Sequence, residues 1–150
     1  MVLDLGSGLE SSLAPPRPLG WLNNPIFSPG GRELVVAGST PDLFNSLWRV
    51  TPATGTWTQL KTPAGFVRPL LWADDGWIYF VHTPTMWSFV PAQIWRMRAD
   101  GGVPQLWATA PKGCRPWDLS MARNAKRLAC SVLEFSSDVW ITTDFDPELR

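Results

Sequence analysis

A repeat of about 47 residues constrains this chain more than any other feature. Trp48, Trp95 and Trp140 stand 47 and 45 residues apart inside the similar strings SLWRV, QIWRM and SDVWI. Gly8, Gly55 and Gly102 keep spacings of 47 and 47, each closing a turn, in GSGLESSL, ATGTWTQL and DGGVPQLW. Two unrelated residue types sharing one period mark a repeated structural unit. Periods of this length, filled with short strand-like runs rather than helical ones, point to the blades of a β-propeller.

Within each repeat, period-two alternation and turn signals give one four-strand order. PIFSP leads through Pro29-Gly30-Gly31 into ELVVAG, and SLWRVTP turns at Gly55 into TWTQLK, so residues 25–61 read as one blade. PLLWA, WIYFVH, QIWRMR and PQLWA make residues 69–108 a second. RPWDLSM, KRLACSV and SDVWITT give a last blade of three strands over 116–143, residues 1–13 give a half blade, and 144–150 are a tail. The prediction is a single all-β segment of about three and a quarter blades, a partial or open propeller. Because the repeat is entered mid-blade and stops one strand short, a C-terminal fragment of a larger propeller protein is expected, with a self-associating small propeller or an open arc as alternatives.

Composition narrows the function classes. Fifteen Pro, 12 Gly and 17% charged residues favour tight turns over long solvated helices. Thirteen basic residues balance 13 acidic ones and no basic stripe is visible, so electrostatic capture of nucleic acid has nothing to work with. No apolar run reaches the roughly 20 residues a membrane helix needs. The start, MVLDLGSGLE, lacks the basic end and apolar core of a secretion signal, so the chain as written is expected in the cytoplasm. The ten Trp, an outlier, suit packing between sheets and also binding surfaces; the phased ones are assigned to packing. A hairpin of 117–121 with 126–130 would put Cys130 near Leu119 and Cys114 several residues beyond, out of disulfide register, so both cysteines are expected as free, partly buried thiols.

The hairpin PIFSPGGRELVV, followed by SLWRVTPATGTWTQL, resembles the TolB-like, WD-repeat-like bacterial β-propeller family. Pro25, Phe27, Ser28, Pro29, Gly31 and Arg32 fit its repeat unit, with Gly30 in place of the aspartate. The second unit keeps Pro69, Trp72, Asp75 and Gly76, while the third has Asn124-Ala125 instead of Asp-Gly. The resemblance covers residues 2–143 and is specific for fold, weak for function. It implies a binding propeller, periplasmic in some relatives and a gate before an α/β-hydrolase peptidase domain in others. The ending SDVWITTDFDP looks like the terminus of large bacterial proteins whose propeller follows a kinase-like or winged-helix domain.

Candidate chemistry is thin. The one histidine, His82, closes the strand WIYFVH, and no G-x-S-x-G elbow accompanies it; Gly6-Ser7-Gly8 reads as a hairpin turn. Paired carboxylates facing a channel would have to come from Asp74, Asp75, Asp118 or Asp138, of which the first two sit in a turn. Asp144, Asp146 and Glu148 alternate like a calcium loop but lack its glycine and length. No catalytic residue, cofactor or metal is therefore assigned.

Phe44, Phe89 and Phe135 fall 45 and 46 residues apart in the loops between second and third strands, with Met86 and Trp87 in the longest of these loops. Equivalent loops of successive blades share one propeller face, so these five define a candidate interaction rim. The expected function is a non-enzymatic scaffold for a protein or peptide partner, with self-association through open blade faces as a further mode. The alternatives are the gating propeller of a serine peptidase whose catalytic domain lies elsewhere, and a decayed remnant without activity.

Overall fold

The computed structural model describes residues 1–40, 43–85 and 90–132, the side chains of residues 40 and 43–45 excepted. Every regular element among them is a β-strand. β1 (Val2–Leu3) pairs with β2 (Glu10–Ser11). β3 (Leu22–Phe27), β4 (Leu34–Thr40), β5 (Leu43–Thr51) and β6 (Thr56–Gln59) form an antiparallel sheet in chain order. β7 (Phe66–Trp72), β8 (Trp77–Thr83), β9 (Gln93–Arg98) and β10 (Gln105–Thr109) repeat that meander. β11 (Ser120–Met121) and β12 (Leu128–Ala129) form a short ladder. The sheets are open ones.

The phased glycines turn the chain as their spacing implied: Gly8, Gly55 and Gly102 have φ of 70°, 66° and 123°. That region is open to glycine and costly for other residues. In the first hairpin of each unit Gly31 and Gly76 have φ of 68° and 80°, and where the third unit has alanine instead, Ala125 is still held at φ 55°.

Period-two alternation explains why the sheets stack. In β4, Val35 and Ala37 face one way, Leu34 and Val36 the other; in β8, Ile78 and Phe80 face one way, Tyr79 and Val81 the other. Val35, Ala37, Leu47, Ile78, Phe80 and Met97 meet in a cluster between the two four-stranded sheets. Tyr79, Val81 and Ile94 pack on the segment containing Leu119 and Met121. Leu34, Val36, Trp48 and Val50 pack on Val2, Leu13 and Leu19 from the N-terminal region. Central strands buried on both faces read as unbroken apolar runs, LVVA and IYFV. Each fully buried large side chain, such as Phe80 or Leu47, contributes about 1.5–3 kcal/mol.

Two arginines tie neighbouring sheets together. Arg49 donates to the Ala99 carbonyl and lies 3.7 Å from Glu33. Arg68, 7% exposed, donates from Nε to the Pro116 carbonyl at 2.9 Å and from Nη2 to the Leu119 carbonyl at 2.6 Å. Burial pushes its pKa below the ordinary arginine value, and the Asp118 carboxylate opposes that shift.

The cysteine expectation is overturned. Cys114 and Cys130 form a disulfide, with Cα atoms 5.6 Å apart across 16 residues of sequence. The hairpin register is the anticipated one, Ser120 opposite Ala129. The approach to it is not extended. Turns from Cys114 N–H to the Pro111 carbonyl and from Asp118 N–H to the Arg115 carbonyl fold the chain back, and a bridge pairs Cys114 with Val132.

Sheet edges are irregular. β3 has a bulge between Asn23 and Ile26, with Asn24 at φ 49° followed by Pro25, and β10 shifts register between Leu106 and Ala108. Such features discourage pairing with a further strand.

Candidate functional site

His82 lies at the end of the second four-stranded sheet, where the connection from β8 to β9 begins. The residue is 8% exposed, and its Nε2 lies 2.8 Å from the Ala64 carbonyl, to which it donates. Nδ1 lies 3.3 Å from Gln93 Oε1, and that oxygen accepts from Trp95 Nε1 at 3.0 Å; the His82 and Trp95 rings meet edge to face at 6.0 Å. Gly65 closes the same corner: a Cβ there would meet the Thr83 carbonyl at 2.4 Å. Strand pairing of Phe66 with Thr83 and of His82 with Gln93 brings these residues together. The arrangement holds both ends of the 84–92 connection to the sheet. It leaves neither imidazole nitrogen facing open solvent as a general base would need.

The described carboxylate candidates all lie in turns, and the Asp75 carboxylate is engaged there. Asp75 Oδ1 accepts from the Trp77 N–H at 3.2 Å, and the Asp75 carbonyl accepts from Arg98 at 2.9 Å. Arg96 stacks over Trp77 at 4.4 Å from the ring centroid. Asp74 belongs to the same turn, whose Gly76 N–H bonds the Ala73 carbonyl. Asp118 donates its backbone N–H in the turn that precedes β11. At the N-terminal hairpin, Ser7 donates both its N–H and its hydroxyl to Asp4 Oδ1, at 2.7 and 2.8 Å, which lowers the Asp4 pKa from its ordinary value; the hydroxyl is a turn group, not a nucleophile. Among the described residues, no group of three or more His, Cys, Asp or Glu side chains could hold a metal.

Of the rim residues, Phe44 has its backbone inside β5 rather than in a loop, because that strand extends to Leu43. Met86, Trp87, Phe89 and Phe135 lie outside the described residues, as do Asp138, Asp144, Asp146 and Glu148. A feature that sequence reasoning missed is an apolar groove of about 290 Å³ on the face of the first four-stranded sheet that turns away from the second. Val2, Leu3, Leu13, Leu22, Phe27 and Trp57 are among its walls. Its signal was present in the apolar residues of MVL and WLNNPIF, but depended on how far a short hairpin reaches across a sheet.

Comparison with solved structures places this architecture. The crystal structure of TolB from Acinetobacter baumannii superposes with a TM-score of 0.63 over 85% of this chain, at 16% sequence identity. The fold is that of TolB-like propeller blades. This chain spans 30% of the TolB chain. No family model matches the sequence, and no curated protein matches it. The likeness to TolB is one of fold, and in this chain that fold is four-stranded meanders stacked face to face. No helix among the described residues is long and apolar enough to cross a membrane.

Proposed function

We propose that this chain is a non-enzymatic TolB-like propeller scaffold that recognises a protein or peptide through the connections at one end of its stacked blades. The observation that carries this reading is the His82 node. The one residue type suited to acid–base work at neutral pH is used to fasten a long connection at both ends, through Ala64, Gln93 and Trp95. A connection anchored at its base loses less conformational entropy on binding. That connection carries Met86, Trp87 and Phe89. Two sheets with one strand order, packed face to face, also bring their equivalent connections toward a common end. The same end of the first sheet carries Phe44.

The test is selection from a displayed library of random peptides. The wild-type chain enriches a defined peptide class, and Trp87→Ala with Phe89→Ala weakens that binding at least about tenfold, the scale of losing an aromatic anchor. If nothing is enriched, or the double variant binds unchanged, the reading fails.

A further inference from the structure

We infer that the His82 corner is a proton-operated fastener, which holds both ends of the 84–92 connection more firmly when the imidazole is charged. Three contacts meet there: His82 Nε2 with the Ala64 carbonyl at 2.8 Å, His82 Nδ1 with Gln93 Oε1 at 3.3 Å, and Trp95 Nε1 with the same oxygen at 3.0 Å. Two of the participants have fixed roles. A backbone carbonyl only accepts, and an indole N–H only donates. The Ala64 carbonyl therefore requires a proton on Nε2. The Trp95 indole requires the oxygen of the Gln93 amide, and that oxygen in turn requires a proton on Nδ1.

A neutral imidazole has one proton for its two nitrogens, so it cannot meet both demands. With the proton on Nε2, a lone pair on Nδ1 faces Oε1; with the proton on Nδ1, a lone pair on Nε2 faces the Ala64 carbonyl. Turning the Gln93 amide lets its NH2 group donate to Nδ1 but sets that group against the Trp95 N–H. Each neutral arrangement makes two contacts, and the imidazolium makes all three. Charging the ring of a residue only 8% exposed is costly, and hydrogen bonds to two oxygens offset part of that cost. No carboxylate shares in it, since among the described residues His82 forms no ion pair. Arg68, Arg96 and Arg98, opposite Val81, Tyr79 and Trp77, lie on the other face of the sheet. On the first sheet Arg49 and Glu33 pair with each other, and Lys61, in the segment leading to β7, makes no bond to the ring. Protonation as pH falls thus adds the third contact, and the connection tightens toward acid.

The functional consequence rests on the reading above, in which this connection is the binding element; the test does not. Hydrogen exchange of the full chain, corrected for the intrinsic pH dependence of exchange, follows opening of the connection from about pH 5.5 to 8, the span over which imidazoles lose their proton. Opening at residues 83–93 rises about fivefold to tenfold toward the alkaline end, the scale of one hydrogen bond. Because His82 is the sole histidine, the 15N spectrum of its ring shows both nitrogens protonated at the acid end and one proton lost over the same span. Trp95→Phe keeps an aromatic ring and removes the indole donor, so Gln93 is free to turn toward a neutral Nδ1. In that variant the tightening toward acid disappears while the ring still titrates. Opening that does not change with pH, or a Trp95→Phe chain that keeps the full dependence, overturns the inference. If Trp95→Phe unfolds, the wild-type exchange profile and ring spectrum decide it. No peptide enters these measurements, so failure of the fastener and failure of the rim are told apart.

Discussion

The two four-stranded sheets have one topology and different environments. In β7 of the second sheet five of seven residues are buried, while β3, its counterpart in the first, has four exposed residues of six. Both strands begin a meander and carry a proline at matching places, Pro69 and Pro25. The residue before that proline separates them. Arg68 reaches across to two carbonyls of the following segment, whereas Asn24 sits in a bulge at positive φ. β7 is covered on both sides, by the first sheet on one and by residues 116–121 on the other. β3 is covered on one. In a stacked-sheet architecture, burial of a strand is thus a property of its neighbours more than of its own sequence.

That contrast is sharpest at paired core positions. Phe80→Ala removes a fully buried ring from the cluster between the sheets and costs about 4 kcal/mol in urea unfolding, while Phe27→Ala, half exposed, costs under about 1 kcal/mol. Equal losses would erase the distinction between the sheets. Next in size is the disulfide: replacing both Cys114 and Cys130 by serine releases a 16-residue loop and lowers stability by about 3 kcal/mol on a loop-entropy basis. Differential alkylation and mass spectrometry establish the bond first. Arg68→Met keeps the stem but leaves two buried carbonyls unpaired, a loss of about 2 kcal/mol that asparagine exchange at position 24 does not reproduce. Smallest, and opposite in sign, Ala125→Gly relieves a left-handed backbone and raises stability by about 0.5–1 kcal/mol, seen as a shift of a few degrees in thermal midpoint.

Much of the fold was legible because its markers act locally. Trp48 and Trp95 recur where a third strand packs on its sheet, and Gly55 and Gly102 where the next turn needs positive φ, so period and strand order could be read directly. The apolar runs in ELVVAG and WIYFVH were readable as strands, and their burial on both faces is what the stacked neighbours add. Interactions with backbone carbonyls were hidden, since a carbonyl has no sequence signature. The Arg68 clasp spans 48 and 51 residues, and His82 meets Ala64 eighteen residues earlier. The disulfide was misjudged for a related reason. It depends on two consecutive turns between Pro111 and Asp118, a reversal that no alternation announces. His82 was placed at a strand end by its sequence, and the structure adds what it does there.

The Cys114–Cys130 bond also makes residues 114–130 a covalent ring. Arg115, Arg123, Lys126 and Arg127 all lie inside it. Arg115 precedes Pro116 and so resists a trypsin-like protease, but a single cut after Arg123, Lys126 or Arg127 opens the ring without releasing a fragment, and the two products stay joined until a reductant separates them. The third hairpin can therefore be nicked and still remain attached to the stack.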